Sequence, residues 1–272
     1  MTLIDPVLLK AHLGVMSGRF DVDALALCDS TSSELMRRAE RGAPAGSVIV
    51  ADEQSAGRGR RGRQWLSAPA ASLTFSLLWR FSGPGTMLSG LSLAVGVGLA
   101  RGLESLGAQG VCLKWPNDVL VLRGHEYAKL AGILVELSSD RKGTQAVIGI
   151  GVNLQAPVGN LPQPAVGLNE TLLALPERHV LLAAILLALA DVFETFAVDG
   201  FLGLKNDWQA RHAWQDQPVQ LLADEAMPLL GRCLGVDNDG ALLLETENGI
   251  QRILSGDVSL RPAGSALGVQ RL

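Results

Sequence analysis

Nine residues, Gly57-Arg58-Gly59-Arg60-Arg61-Gly62-Arg63-Gln64-Trp65, separate two runs that read as strands. Before them, Ser47 to Asp52 is apolar and closes on an acid. After them, Leu73, Phe75, Leu77 and Trp79 alternate with Thr74, Ser76 and Leu78, the pattern of a strand with one strongly buried face. The first seven residues between the runs hold four arginines and three glycines. Mutual repulsion and glycine freedom make such a stretch costly to order in water, so it calls for an anion, and ligand binding is expected to order it. Strands at both ends fix where the anion is met. A nucleic-acid clamp, a phosphate cradle and a mobile active-site loop over a small anion all fit, although the GxxxxGK[ST] spacing of the cradle is missing. Taken alone, the loop leaves nucleic acid and small anion evenly matched.

Charge balance shifts that choice. With 23 Lys+Arg against 27 Asp+Glu, a net charge of -4, no global field draws in a polyanion, and the positive charge is local. The 272 residues, 48% hydrophobic and 18% charged, suffice for one large domain and a small one. Cys28, Cys112 and Cys233 lie far apart in apolar runs, which predicts buried thiols in a reducing compartment. His12, His125, His179 and His212 lack ligand spacing, so any metal is expected to arrive with a substrate. The N-terminus lacks the pattern of a secretory signal, and the apolar run Val180 to Ala190 stops at Asp191, too short to span a bilayer. A cytoplasmic chain without membrane contact follows.

In chain order, Asp5 and Pro6 open a short helix and Ala24 to Cys28 is a strand. A helix then starts at Asp29-Ser30-Thr31-Ser32-Ser33-Glu34, where Thr31 and Glu34 have capping-box spacing; the hydroxyls either cap or clamp a polar ligand. Met87 to Leu106 reads as a helix despite Gly90, Gly96, Gly98 and Gly102, each costing about 1 kcal/mol relative to alanine, which predicts close packing on a sheet. Lys114, Asn117 and Asp118 flank Pro116 and read first as turn chemistry. Lys129 stands immediately before a buried-looking strand, placed to snorkel or to face an anion. Gln145 to Leu154 is a strand whose glycines admit close approach, Leu161 to Pro176 is loop, and Val180 to Phe196 is a core helix with one apolar stripe. From Pro218 short strands predict a small β-barrel, separated from the rest near residue 215.

The arginine-glycine loop, Lys114-Trp115-Pro116-Asn117-Asp118, Lys129-Leu130-Ala131-Gly132 and Gly149-Ile150-Gly151-Val152-Asn153 occur in the order that marks biotin protein ligases, and the resemblance runs from about Asp5 to the end. It implies an α+β fold: a mixed, mainly antiparallel sheet with packed helices, of the class II synthetase and lipoate–biotin ligase type, over residues 1–215. A C-terminal SH3-like barrel over 216–272 would follow. It implies a reaction in which biotin and Mg-ATP give biotinyl-5'-AMP, which then acylates a lysine of the biotin carboxyl carrier domain of acetyl-CoA carboxylase. By resemblance, Lys129 and Arg60 are catalytic, and Ser30, Thr31, Ser32, Gln54, Arg58, Gly59, Arg60, Lys129 and Gly132 hold biotin. Arg61, Arg63, Trp65, Lys114, Asn117, Asp118, Asn153 and Arg261 form the nucleotide side, with Asp118 the candidate for Mg2+. Ser32 stands where the family usually has asparagine, and Leu168 where some members pack a tryptophan on adenine. Without a helix-turn-helix segment before Asp5, ligation without specific DNA binding is expected, with a homodimer as candidate assembly. The rival readings are a lipoate ligase, which shares the fold but lacks this loop, and a nucleic-acid module.

Overall fold

The computed structural model describes residues 3–140, 143–159, 161, 163–223, 227–254 and 258–264. A seven-stranded sheet runs in the order β1 (Asp21–Cys28), β2 (Ser47–Gln54), β3 (Ser72–Phe81), β7 (Gly143–Asn153), β6 (Glu126–Asp140), β5 (Asp118–Arg123) and β4 (Val111–Lys114). Only β1 and β2 pair in parallel, so the expected mixed, mainly antiparallel α+β class stands. The basic loop joins two neighbours in this sheet, β2 and β3.

Helices lie on both faces of this sheet. In α1 (Pro6–Leu13) the Asp5 carboxylate accepts from the Val7 amide at 2.8 Å, with Pro6 at the first position, where its missing N–H is harmless. One sheet face is covered by α3 (Leu91–Ser105) and α4 (Arg178–Asp199), each apolar around most of its circumference because each is packed on several sides. The glycines of α3 serve mainly a helix contact: a side chain at Gly98 would lie 2.9 Å from Leu189, and one at Gly102 2.9 Å from the Ile185 Cα. Only Gly96 faces the sheet side, at Leu113 and Ile133, which corrects the expectation of packing on the sheet alone. The apolar run is also longer than expected. By length and composition residues 178–210 could cross a bilayer, yet Leu182, Ile185, Leu186 and Leu189 of α4 are fully buried in the core.

The other face carries α2 (Thr31–Glu40), whose Leu35 meets Ile49, Leu78 and Val147 in a small second cluster. Strand β3 is therefore buried on both faces rather than one: Leu73, Phe75 and Leu77 point into the main core, and the alternate residues Thr74, Ser76 and Leu78 toward the α2 side. Beyond the N-terminus of α2 that second face turns polar and glycine-rich.

After α5 (Lys205–Ala210), strands β8 (Pro218–Ala223), β9 (Leu229–Val236), β10 (Leu242–Thr246), β11 (Gly249–Ile253) and β12 (Val258–Pro262) form an antiparallel sheet in the order β11-β10-β9-β8-β12. Residues 265–272 of the expected C-terminal unit lie outside the described residues. The sheet is built onto the larger one. Leu113 of β4 donates its amide to Arg211 O at 2.7 Å and accepts from Ala213 N at 2.9 Å, and Val219, Leu221, Cys233, Val236, Leu242, Leu244 and Leu260 belong to the main core. All three cysteines are free. Only Cys233 is buried; Cys28 and Cys112 are half-buried on strands near the sheet's two edges, which corrects the expectation for those two.

Candidate active site

The start of α2 builds an uncharged cluster. Ser30, not Thr31, caps the helix by accepting from Ser33 N at 3.5 Å, and Glu34 turns to Arg37 and Arg38, so the expected capping box does not form. Thr31 is thereby released: its amide and hydroxyl both donate to Gln54 Oε1, at 2.7 and 3.1 Å, and its hydroxyl meets Ser76 Oγ at 2.8 Å. Ser32 Oγ reaches Ser76 Oγ at 3.0 Å and fills the space that a side chain at Gly149 would need.

The basic loop folds back on itself. Trp65 N donates to Gly57 O at 2.9 Å, Gly59 N donates to Arg63 O at 2.8 Å, and the turn between places Arg61 at φ 61°. Arg58 forms a two-pronged ion pair with Glu136 of β6, at 2.5 and 3.2 Å, and touches Ser33 Oγ at 3.3 Å. Arg60 donates to Asn117 Oδ1 at 3.2 Å. The Trp65 indole lies on Gly151, where any side chain would overlap it, with Gly132 alongside and the Lys129 ammonium 5.8 Å from its ring centre.

Charge gathers at the opposite end. Asp118 Oδ2 meets Lys114 Nζ at 3.1 Å and Oδ1 meets Lys129 Nζ at 2.6 Å. Burial alone would raise the Asp118 carboxyl, but Lys129 and Lys114 outweigh it and hold it well below the usual carboxylate range. Burial brings Lys114, 4% exposed, down to about 8 against the pull of Asp118. Lys129 lies within β6, which begins at Glu126 rather than after the lysine as expected, beside a register shift in the pairing with β5. Gln163 Oε1 accepts from Lys114 Nζ at 3.1 Å and from Arg261 Nη1 at 2.7 Å, tying the C-terminal sheet to this end. With both Asp118 oxygens on ammonium groups, a magnesium ion there would have to displace a lysine; among the described residues no cluster of three His, Cys, Asp or Glu side chains stands ready for a metal.

These two ends are joined by one cavity of about 360 Å³, the size of a small-molecule site. Residues 26–153 match the Biotin/lipoate A/B protein ligase family, and residues 216–261 match the Biotin protein ligase C terminal domain. The bifunctional ligase/repressor BirA of Escherichia coli is 36% identical over 93% of this chain and 78% of its own length. The chain belongs to the biotin protein ligase family. The ligase is likewise 36% identical to the biotin–[acetyl-CoA-carboxylase] ligase of Paracoccus denitrificans, over 86% of this chain and 98% of that protein. Among solved structures it is similar to the biotin protein ligase of Aquifex aeolicus in complex with biotin and ATP, with a TM-score of 0.73, 30% identity, and coverage of 89% of this chain and 99% of that one.

In the ligase, Ser30, Thr31, Ser32, Gln54, Arg58, Gly59, Arg60, Arg61, Arg63, Trp65, Lys114, Asn117, Asp118, Lys129, Gly132 and Asn153 all line this cavity. Arg261 is not among the lining residues; it is tied to this end through Gln163 and feels the charges of Asp118 and Arg63. Asn117 and Asn153 also brace the wall, donating to Ile133 O at 2.7 Å and Lys129 O at 3.2 Å. Leu168 is buried in the core and does not line the cavity, so it is not placed to pack on a ligand. Sequence reasoning missed Thr74, Ser76, Glu136 and Gln163. The hydroxyls at 72, 74 and 76, alternating with Leu73, Phe75 and Leu77, were the available signal for the first two.

Proposed function

We propose that this ligase condenses biotin with ATP to biotinyl-5'-AMP, releasing pyrophosphate, and then transfers the biotinyl group to a lysine amine of a biotin carboxyl carrier domain, releasing AMP. The observation that carries the reading is the sharing of Asp118 by Lys114 and Lys129 at one end of a cavity whose other end is uncharged and polar. Joining a carboxylate to a phosphate brings two anions together. Lys129, held in place by Asp118, supplies fixed positive charge where the carboxylate meets the α-phosphate, in a site shielded from bulk water. Lys114 faces the nucleotide. Its lowered proton affinity records a buried cation with incomplete compensation, which phosphate would complete. Arg60 and the folded-back loop cover the pocket and keep water from the mixed anhydride.

Magnesium would enter with ATP, bound to the substrate's phosphates, and would screen their charge. Residues 1–215 carry this chemistry in the proposal, and 216–272 complete its nucleotide end through Arg261. The supporting relatives include the Aquifex aeolicus ligase seen with biotin and ATP. We propose ligation alone, in the cytoplasm, without specific DNA binding and with a homodimer as candidate assembly. The test is ATP-dependent incorporation of labelled biotin into a carrier domain. Incorporation of lipoate in place of biotin would favour the rival ligase reading, and incorporation of neither would end both.

A further inference from the structure

Strand β3 presents three hydroxyls on the α2 side, Ser72, Thr74 and Ser76. The outer two are satisfied within the chain. Ser72 Oγ accepts from Ala68 N and donates to Ala68 O, both at 3.2 Å, and Ser76 Oγ meets Thr31 and Ser32. The middle one is not: Thr74 is 4% exposed, lines the cavity, and its Oγ1 has no hydrogen-bond partner among the described residues. A buried hydroxyl without a partner lowers stability, and a valine of the same shape would avoid the loss.

The surroundings show what the hydroxyl faces. Thr74 pairs across the sheet with Gly151, whose missing side chain makes room for the Trp65 indole, and the indole Nε1 is also buried without a partner among the described residues. Two unmatched polar groups therefore flank one stretch of cavity wall. Successive same-face positions on a strand stand about 7 Å apart; Ser76 itself is fully buried, but its partners Thr31 and Ser32 line the same cavity as Thr74, so this wall carries hydroxyls on a spacing that suits two small fused rings. The chemistry that suits such a wall is a neutral ring system with closely spaced donors and acceptors. A cyclic urea, with two N–H groups and one carbonyl, can match a threonine hydroxyl that both donates and accepts; a dithiolane ring offers neither.

We infer that Thr74 is a specificity-determining residue whose hydroxyl hydrogen-bonds the ureido group of biotin. This rests on the reading that biotin is the substrate. The experiment compares the whole protein with Thr74→Val and Thr74→Ser by biotin titration, steady-state kinetics and thermal melting without ligand. The valine variant is expected to bind biotin about tenfold more weakly, with the loss in the KM for biotin rather than in kcat, with the KM for ATP unchanged, and with a melting temperature equal to or above that of wild type. The serine variant should stay within about threefold of wild type. A merely structural threonine would instead show a lowered melting temperature and equal losses for both substrates. Biotin binding by Thr74→Val as tight as wild type overturns the inference, and so do such parallel losses. Should the valine variant not fold, Thr74→Ala is read by the same criteria. Failure of the wild-type protein itself to bind biotin would instead overturn the reading of the substrate and the inference with it.

Discussion

At one end of the cavity Thr31, Ser32, Ser76 and Gln54 engage one another through neutral hydrogen bonds; at the other, two ammonium groups share the single carboxylate of Asp118. The neutral cluster is close to satisfied and can receive an uncharged ligand head without a large desolvation penalty. The charged cluster carries one positive charge over and remains unbalanced until an anion arrives. In the proposed reaction such a division assigns recognition to the neutral end and chemistry to the charged end.

That division can be broken from either side. The largest effect is expected from Lys129→Ala, which should leave the fold intact and slow adenylate formation about a hundredfold or more, as when one preorganised charge-stabilising group is removed. Biotin-dependent pyrophosphate exchange by the purified variant measures it, and a near-normal rate would remove Lys129 from the mechanism. Next, Ser76→Ala deprives Thr31 and Ser32 of their shared partner and should weaken biotin about tenfold while leaving the KM for ATP alone. Equal losses for both substrates would show that the two ends are not separable.

Acidity gives a smaller, reversible probe. Because burial brings Lys114 down to about 8, the cation that the proposal sets against the nucleotide discharges as pH rises through that value. The KM for ATP should then climb about fivefold between pH 8 and 9, with biotin affinity flat across the same interval. In the free protein the sign is the reverse of a loss: between about 8 and 10.5 the unfolded chain holds a proton that the folded one has released, so this group lets stability rise with pH. A flat KM for ATP would contradict the placement of Lys114. The smallest effect belongs to Glu136→Gln, since the Arg58 pair is partly exposed and such pairs contribute at most about 1 kcal/mol. Protease cleavage within residues 57–65 should speed up by a few fold, with the melting temperature unchanged.

At the charged end the residues alone pointed to Lys129 and the arginine loop, whereas Lys114 and Asp118 read first as a turn and joined the site only through the family resemblance; much of the neutral end was not legible, for a physical reason. Lysines beside strands and arginines without interleaved acids are uncommon enough to stand out, and Lys114, Asp118 and Lys129 do meet. Hydroxyls look ordinary in a strand read as having one strongly buried face, so nothing marked Thr74 and Ser76, whereas the second face of β3 is covered as well. Thr31 and Glu34 had capping-box spacing, but tertiary hydrogen bonds to Gln54 and Ser76 redirected Thr31 and the cap fell to Ser30. Likewise the α3 glycines announced a close contact without saying with what, because Leu189 and Ile185 come from a helix some ninety residues away. Strand order, and the merging of the C-terminal sheet into the main core, depend on pairings that no local pattern encodes.

The seam between the two sheets bears on the order in which a growing chain can assemble its site. Trp115, fully buried beside the Lys114–Asp118 turn, donates its indole N–H to Gly240 O at 3.1 Å across a separation of 125 residues, and Gln163 waits for Arg261 across 98. During synthesis the Ser30–Gln54 cluster can close once β7 has emerged, whereas the charged end stays unfinished until nearly the last strand has left the ribosome. Chains cut short before Gly240 should therefore retain strands of the larger sheet yet fail to make adenylate, so that a prematurely released polypeptide cannot produce a reactive anhydride that it has no means to contain.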